Sequence, residues 1–325
     1  MPGLSIQRIP LEIRKAATVI AIAIVLASSF AAAYTVALGR PSPRNLPVGV
    51  VGSTSATAPF VAALHRNPAE FDVQQYPTRE DAVTAINSQR ITAAIDATAK
   101  PAQLLLSSAS DPSGTRALIQ LDQTQPGQFI LPIVDLHPLP PSDPAGLATF
   151  YLVIAATILG FITMFQLRAN VKTLSLRRWL VALVVLAVVG GAALASVTGP
   201  VLGALSTPFP QLWLLTSVQI AVAASFNSTM LVLIHRWAII PTWLVFILLG
   251  NTSSGGAVSA SLLPQPFAFF NHALPSGATV SAIHAATYFP DNQRPLPFIV
   301  LGLWLVGSVS ALIVSSRLLR RSPAA

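Results

Sequence analysis

Six long stretches of this chain contain no Asp, Glu, Lys or Arg, and these runs restrict its fold more than any motif. The first covers residues 16–37, followed by 147–167, 179–197, 212–234, 238–249 with a polar extension, and 297–316. A helix needs about 20 apolar residues to cross the hydrocarbon core, and only a helix or a closed barrel satisfies its backbone there. The expected class is an α-helical polytopic membrane protein with six transmembrane helices, whose first partner is the lipid bilayer. Composition agrees, since 53% of the residues are hydrophobic, 9% are charged and the mean hydropathy is +0.66, which excludes an ordinary soluble domain. With no cysteine, disulfides, thiolate metal sites and cysteine nucleophiles are excluded.

Residues 1–15 read as a cytoplasmic N-terminal segment, in which residues 4–15 form either a short interfacial helix interrupted by Pro10 or a solvated basic flank. Residues 16–38 are the first transmembrane helix. Their small-residue end, "SSFAAAY", also fits the cleavage site of a signal peptide, and that alternative stays open. Residues 39–145 hold most of the acidic residues and many prolines, and predict a small extracytoplasmic α/β domain inserted between helices 1 and 2. Strands are expected over 46–52, 71–76, 91–97, 104–108 and 129–136, with helices over 58–66, 78–89 and 112–121. Residues 146–317 form the five-helix remainder, with an outer re-entrant or interfacial loop at 251–295, and 318–325 form a cytoplasmic tail.

The net charge of +8 is a question of placement before it is one of nucleic acid, which no part of the sequence favours. Arg8, Arg14, Lys15, Arg168, Lys172, Arg177, Arg178, Arg236, Arg317, Arg320 and Arg321 all flank the same ends of the spans. The positive-inside rule then places both termini in the cytoplasm of a multi-pass plasma-membrane protein, and residues 39–145 outside. Neither half of the chain repeats the other, which disfavours an inverted-repeat transporter.

Ion-coupled carriers need ionisable groups inside the membrane, and no span holds one. None of Lys15, Lys100 and Lys172 follows a Gly-rich phosphate loop, so the chain carries no nucleotide-binding motif. His65, His137, His235, His272 and His284 lack metal-ligand spacing, and no GxSxG is present, which leaves a serine hydrolase poorly supported. No catalytic residue, cofactor or metal site is assigned, and the expectation is a non-enzyme. Asp111, Asp122, Asp135 and Asp143 read as solvated carboxylates. Thr216, Gln219 and Asn227 step along one helical face and are candidates for either a substrate path or helix–helix glue. Ala156 with Gly160 and Gly191 with Ala195 have the four-residue spacing of close helix packing.

In residues 250–289 an apolar span dissolves into Asn251, Thr252, Ser253, Ser254, Gly255 and Gly256 and continues past Pro264, Pro266 and Pro275. Irregular backbone at membrane depth must be covered by protein or line a cavity, so Asn251, Ser253, Ser254, Gly255, Gly256, Pro264 and Pro275 are candidates for a helix break that gates the outer mouth.

This stretch, "LGNTSSGGAVSASLLPQPFAFFNHALPSGATVSAIHAATYF", together with "VDLHPLPPSDPAGLATFYLVIAATILGF" and "LPVGVVG", resembles the YhgE/Pip (phage infection protein) family, allied to type-2 ABC exporter permeases. The resemblance covers most of the chain and implies one helix, an outer domain and five further helices, with a separate ATP-binding partner in some members. The outer domain here is much shorter than the coiled-coil-bearing ones of many relatives. The expected function is a permease-like subunit of an exporter for an amphipathic or envelope-related substrate, acting as a homodimer. A separate ATPase would dock on Arg168, Lys172, Arg177 and Arg178. The alternative is a non-transporting surface protein whose outer domain binds an envelope component or partner protein.

Overall fold

The computed structural model describes residues 10–39, 41–66, 69–124, 131–171 and 173–321. It is mostly helical, with five stretches long and apolar enough to cross a membrane and one small sheet. Helix α1 runs Leu11–Leu38, just after Pro10, so Glu12, Arg14 and Lys15 belong to its first turns. The helix thus begins within the expected N-terminal segment, and the proline precedes it where the sequence reading had it interrupt a helix. Residues 4–9 of that expected segment lie outside the described residues.

The α/β domain contains β1 (Leu46–Val51), α2 (Thr54–Leu64), β2 (Phe71–Tyr76), α3 (Arg79–Asn87), β3 (Ala93–Asp96), β4 (Gln103–Leu106), α4 (Pro112–Thr124) and β5 (Ile133–Asp135). The strand order is β2-β1-β3-β4-β5, parallel throughout except where β4 pairs antiparallel with β3. Alternation along each strand feeds two cores. Leu46, Val48, Val50, Ala93, Ile95, Leu104 and Leu106 meet Phe60 of α2 and Leu118 of α4. Val51, Ala94 and Leu105 meet Ala82, Ala85 and Ile86 of α3 on the opposite face. Each buried Leu or Ile adds about 1.5–3 kcal/mol, which lets a domain of this size hold together without staples. Thr78 caps α3 by accepting from the Asp81 N–H at 3.1 Å. Helix α2 starts earlier than expected because the strand already ends at Val51 and Ser53, extended at φ −66° and ψ 152°, stands at the N-cap. The last strand is the short β5, and residues 129–130 of its expected range lie outside the described residues.

Four long helices pack as a bundle: α5 (Ala148–Asn170), α6 (Leu176–Ser196), α7 (Phe209–Ile234) and α11 (Leu296–Arg321). Helix α7 is central, with α5, α6 and α11 arranged against it. A Cβ on Gly160 would lie 2.7 Å from the Ile220 carbonyl of α7, and one on Gly191 would lie 2.1 Å from Ser217 Oγ. Both glycines mark places where backbones approach too closely for a side chain.

The fourth apolar stretch, Phe209–Asn251, covers two of the sequence-expected spans. It reverses at His235, whose φ is +54°. Beyond a 3₁₀ turn and the four-residue α8 (Ile239–Thr242), it returns as a π-helix, Trp243–Asn251. The antiparallel return is pinned by the Thr242 hydroxyl donating to Asn227 Oδ1 at 3.1 Å and by Phe246 stacked edge-on to Phe226 at 5.5 Å. Past Asn251 the chain bends through residues 253–259, then forms α9 (Phe267–Ala273) and α10 (Pro275–Tyr288). An interfacial position was one reading of this segment, but α10 is largely buried. Its Ala278, Val280 and Ile283 pack with Leu152, Leu212 and Leu301 of the bundle, so α10 is a wedge between helices.

Candidate functional site

The α/β domain meets the bundle at a seam built by two copies of one short motif. Residues 110–114 read Ser-Asp-Pro-Ser-Gly and residues 142–146 read Ser-Asp-Pro-Ala-Gly. Pro112 opens a helix, where its missing N–H costs nothing, while Pro144 lies in the turn that leads to one, and in both copies the carboxylate takes up free N–H groups. Asp111 accepts from the Gly114 N–H at 2.6 Å at the start of α4, and Asp143 accepts from the N–H groups of Leu147 and Ala148, both at 2.9 Å, at the start of α5.

Asp111 does more than cap. Its carboxylate accepts from the hydroxyls of Ser259 and, at 3.3 Å, Ser261, both beyond the helix break, while Ser113 Oγ lies 2.8 Å from Ser259 Oγ. The Arg44 N–H donates to the Ser261 carbonyl at 2.9 Å. Burial drives the Asp111 carboxyl above the ordinary 3.8 of an aspartate, and the hydrogen bonds from Ser259, Gly114, Ser261 and Ser113 only partly counter it. At the far side of the seam, Arg294 donates to the carbonyls of Gln89 at 2.6 Å and Ser88 at 3.3 Å, just past the C-terminus of α3, where the helix dipole favours a cation. Ser142 Oγ donates to the Gly203 carbonyl at 2.6 Å.

The expectation that Asp111 and Asp143 are solvated is overturned: they are only 8% and 9% exposed, because each is held by helix N–H groups. Asp135 is half-buried and bonded to the Ser108 hydroxyl and N–H, and the Asp122 side chain lies outside the described residues. The paired Ser-Asp-Pro-x-Gly strings, each followed by an apolar run, were the signal that could have revealed the caps.

Between these clamps lies a cavity of about 290 Å³, lined on the bundle side by Ser254, Gly255, Asn271, His284 and Arg294 and on the other by Gln89, Thr92 and Asp111. The helix break supplies its wall. Gly255 has φ +78°, and a Cβ there would lie 2.8 Å from Asn271 Nδ2, which itself donates to the Ser253 carbonyl at 2.8 Å. Ser254 Oγ donates to the Asn251 carbonyl at 2.8 Å, and Gly256 lies against Phe150, 2.9 Å from where its Cβ would stand. Pro264 accepts from the Phe267 N–H, and Pro275 begins α10. The buried Asn251 Oδ1, Ser253 Oγ and Ser276 Oγ have no hydrogen-bond partner. None of the three lines the cavity, and all are enclosed within the bundle.

The other candidate residues lie elsewhere. Thr216 donates to the Leu212 carbonyl within α7. Gln219 bridges helices, donating to Thr157 Oγ1 and accepting from Thr279 Oγ1, both at 2.8 Å. Asn227 donates to the Phe161 carbonyl at 3.0 Å and accepts from Thr242. Arg168, Arg177 and Arg178 are exposed at the bundle end away from the α/β domain, and Lys172 lies outside the described residues. Among the described residues, no group of three or more His, Asp and Glu is placed to hold a metal. Comparison with family models, curated proteins and solved structures finds no match.

Proposed function

We propose that this chain is a permease-like membrane subunit that passes an amphipathic or envelope-related substrate, driven by a separate ATPase and working as a homodimer. On this reading the chain has six spans with both termini cytoplasmic and the α/β domain outside, and it belongs with the YhgE/Pip group. The observation that carries the reading is the seam cavity, whose wall is the irregular segment 253–259 with unpaired polar atoms behind it. Such backbone within a helical bundle is tolerated where it lines a path or is covered by protein. Reconstitution with candidate ATPases tests the proposal: a cognate ATPase is expected to hydrolyse ATP faster in the presence of the chain. Gly255→Leu, which opposes a positive φ and meets Asn271, is expected to abolish export at unchanged expression. A chain that stimulates no ATPase and exports nothing would overturn it.

A second reading, a surface protein whose outer domain binds an envelope component, is favoured by the interior of the bundle. Gln219, Asn227, Thr157, Thr242 and Thr279 are bonded to one another or to backbone and present no open polar face. On that reading Gly255→Leu leaves binding of envelope material by the intact chain unchanged.

A further inference from the structure

The bundle end far from the α/β domain carries a groove of about 490 Å³ lined by Leu176, Arg177, Leu180, Val181, Val184, Val185 and Arg317. It exists because α6 and α11 each pack on α7 and hardly touch one another. Along α6 the positions 177, 180/181 and 184/185 share one face, so a guanidinium at the helix start heads an apolar strip about 12 Å long at 1.5 Å per residue. Val181, Val184 and Val185 are each more than half exposed. Arg317, from the last turns of α11, faces the same groove head.

Among the described residues, neither guanidinium at this head forms an ion pair. No carboxylate lines the groove, and after Asp143 the chain has a single acidic residue, Asp291, which precedes α11 at the opposite end of that helix from Arg317. Two exposed guanidiniums above an apolar strip on a helix of membrane-spanning length match the two parts of an anionic phospholipid. The two free oxygens of the tetrahedral phosphate accept bidentate bonds from the planar guanidinium of Arg, its charge is balanced by a headgroup cation in phosphatidylcholine but not in phosphatidylglycerol, and the acyl chain covers the valines.

We infer that this groove is a binding site for an anionic phospholipid, its phosphate between Arg177 and Arg317 and one acyl chain along Leu180, Val181, Val184 and Val185. The inference is independent of the transport proposal, and it takes Arg177 from the set of ATPase-facing residues and gives it to the bilayer. It is tested on the full chain in detergent by native mass spectrometry, titrating phosphatidylglycerol or phosphatidylcholine. The wild-type chain is expected to retain phosphatidylglycerol in preference. The double variant Arg177→Gln/Arg317→Gln is expected to weaken phosphatidylglycerol binding about tenfold or more and leave phosphatidylcholine unchanged, while Arg177→Lys/Arg317→Lys keeps most of the preference. Val184→Trp fills the groove without removing charge and is expected to weaken phosphatidylglycerol binding too, whereas Arg236→Gln, elsewhere on that end, is expected to do nothing. Equal binding of the two lipids by the wild-type chain, or unchanged phosphatidylglycerol binding in both the double Gln variant and Val184→Trp, overturns the inference. Loss of affinity equally for both lipids in the double Gln variant also counts against it, since that marks general unfolding or a charge-blind surface.

Discussion

Asp111 brings a carboxylate into a place shielded from water and surrounds it with four donors from two parts of the molecule. Removing it leaves Ser113, Ser259 and Ser261 hydroxyls without their acceptor, and Asp111→Ala is expected to cost about 1–3 kcal/mol of docking stability. Hydrogen exchange checks this: amides of residues 259–262 should exchange at least about tenfold faster, and unchanged exchange there would refute the clamp. The pH dependence has a definite sign. Burial places the folded value of Asp111 above its unfolded 3.8, so its contribution is fully present below pH 3.8 and declines as pH rises through the raised value. Asp111→Asn should flatten that part of the profile. Asp96 runs the other way. Burial alone would raise it, but the Thr98 hydroxyl at 2.6 Å and N–H at 3.0 Å, with Arg79 at 3.1 Å, outweigh burial and hold it below 3.8. Its contribution is present above pH 3.8 and is lost as pH falls through the lowered value, so acid unfolding of the wild type compared with Asp96→Asn should separate the two aspartates.

Among the elements, packing outweighs hydrogen bonding. Gly160→Leu forces a side chain into the Ile220 carbonyl of α7 and is expected to cost roughly 1–3 kcal/mol or more. Gln219→Leu removes bonds to Thr157 and Thr279, yet polar pairs between membrane helices average only about 0.6 kcal/mol, so its effect should be smaller. Thermal unfolding in detergent that ranks the two in the opposite order would contradict this account. Periodicity made most of these elements legible. The uncharged runs located the long helices, and the short apolar runs in residues 46–52 and 91–97 located central strands, because burial of both sheet faces leaves little polar alternation. The reversal at His235 falls where Arg236 divides the expected runs 212–234 and 238–249 within the apolar 43-residue stretch. Local pattern missed α10 as a wedge. Its Ser276, Thr279 and Thr287 look interfacial in sequence but are partnered or enclosed only once the bundle has assembled around them. The seam was missed because solvation is the usual state of an aspartate and the partners of Asp111 lie some 150 residues away.

At the scale of the whole molecule, the layout is two bodies joined at one seam, with α1 attached to the rest mainly through Ala33, Ala37 and Leu38 against Val258, Leu262 and Phe267. A chain without cysteine allows a direct test of sidedness. Single cysteines at Lys100→Cys in the α/β domain and Thr173→Cys between α5 and α6 should react with an impermeant maleimide from opposite faces of intact cells or sealed vesicles. Labelling of both from the same face would refute the orientation proposed above. The seam has a final consequence for how the two bodies respond to their surroundings. Asp111 is joined to hydroxyls and an amide, and Arg294 and Ser142 to carbonyls, so the clamps rest on short contacts with neutral partners. Mobile ions weaken attraction between separated exposed charges, with a screening distance that shrinks from about 10 Å at 0.1 M to about 3 Å at 1 M, but they have little purchase on bonds of this kind. The association of the two bodies should therefore persist unchanged from dilute buffer to brine, and a domain that worked loose by ionic strength would need a different seam.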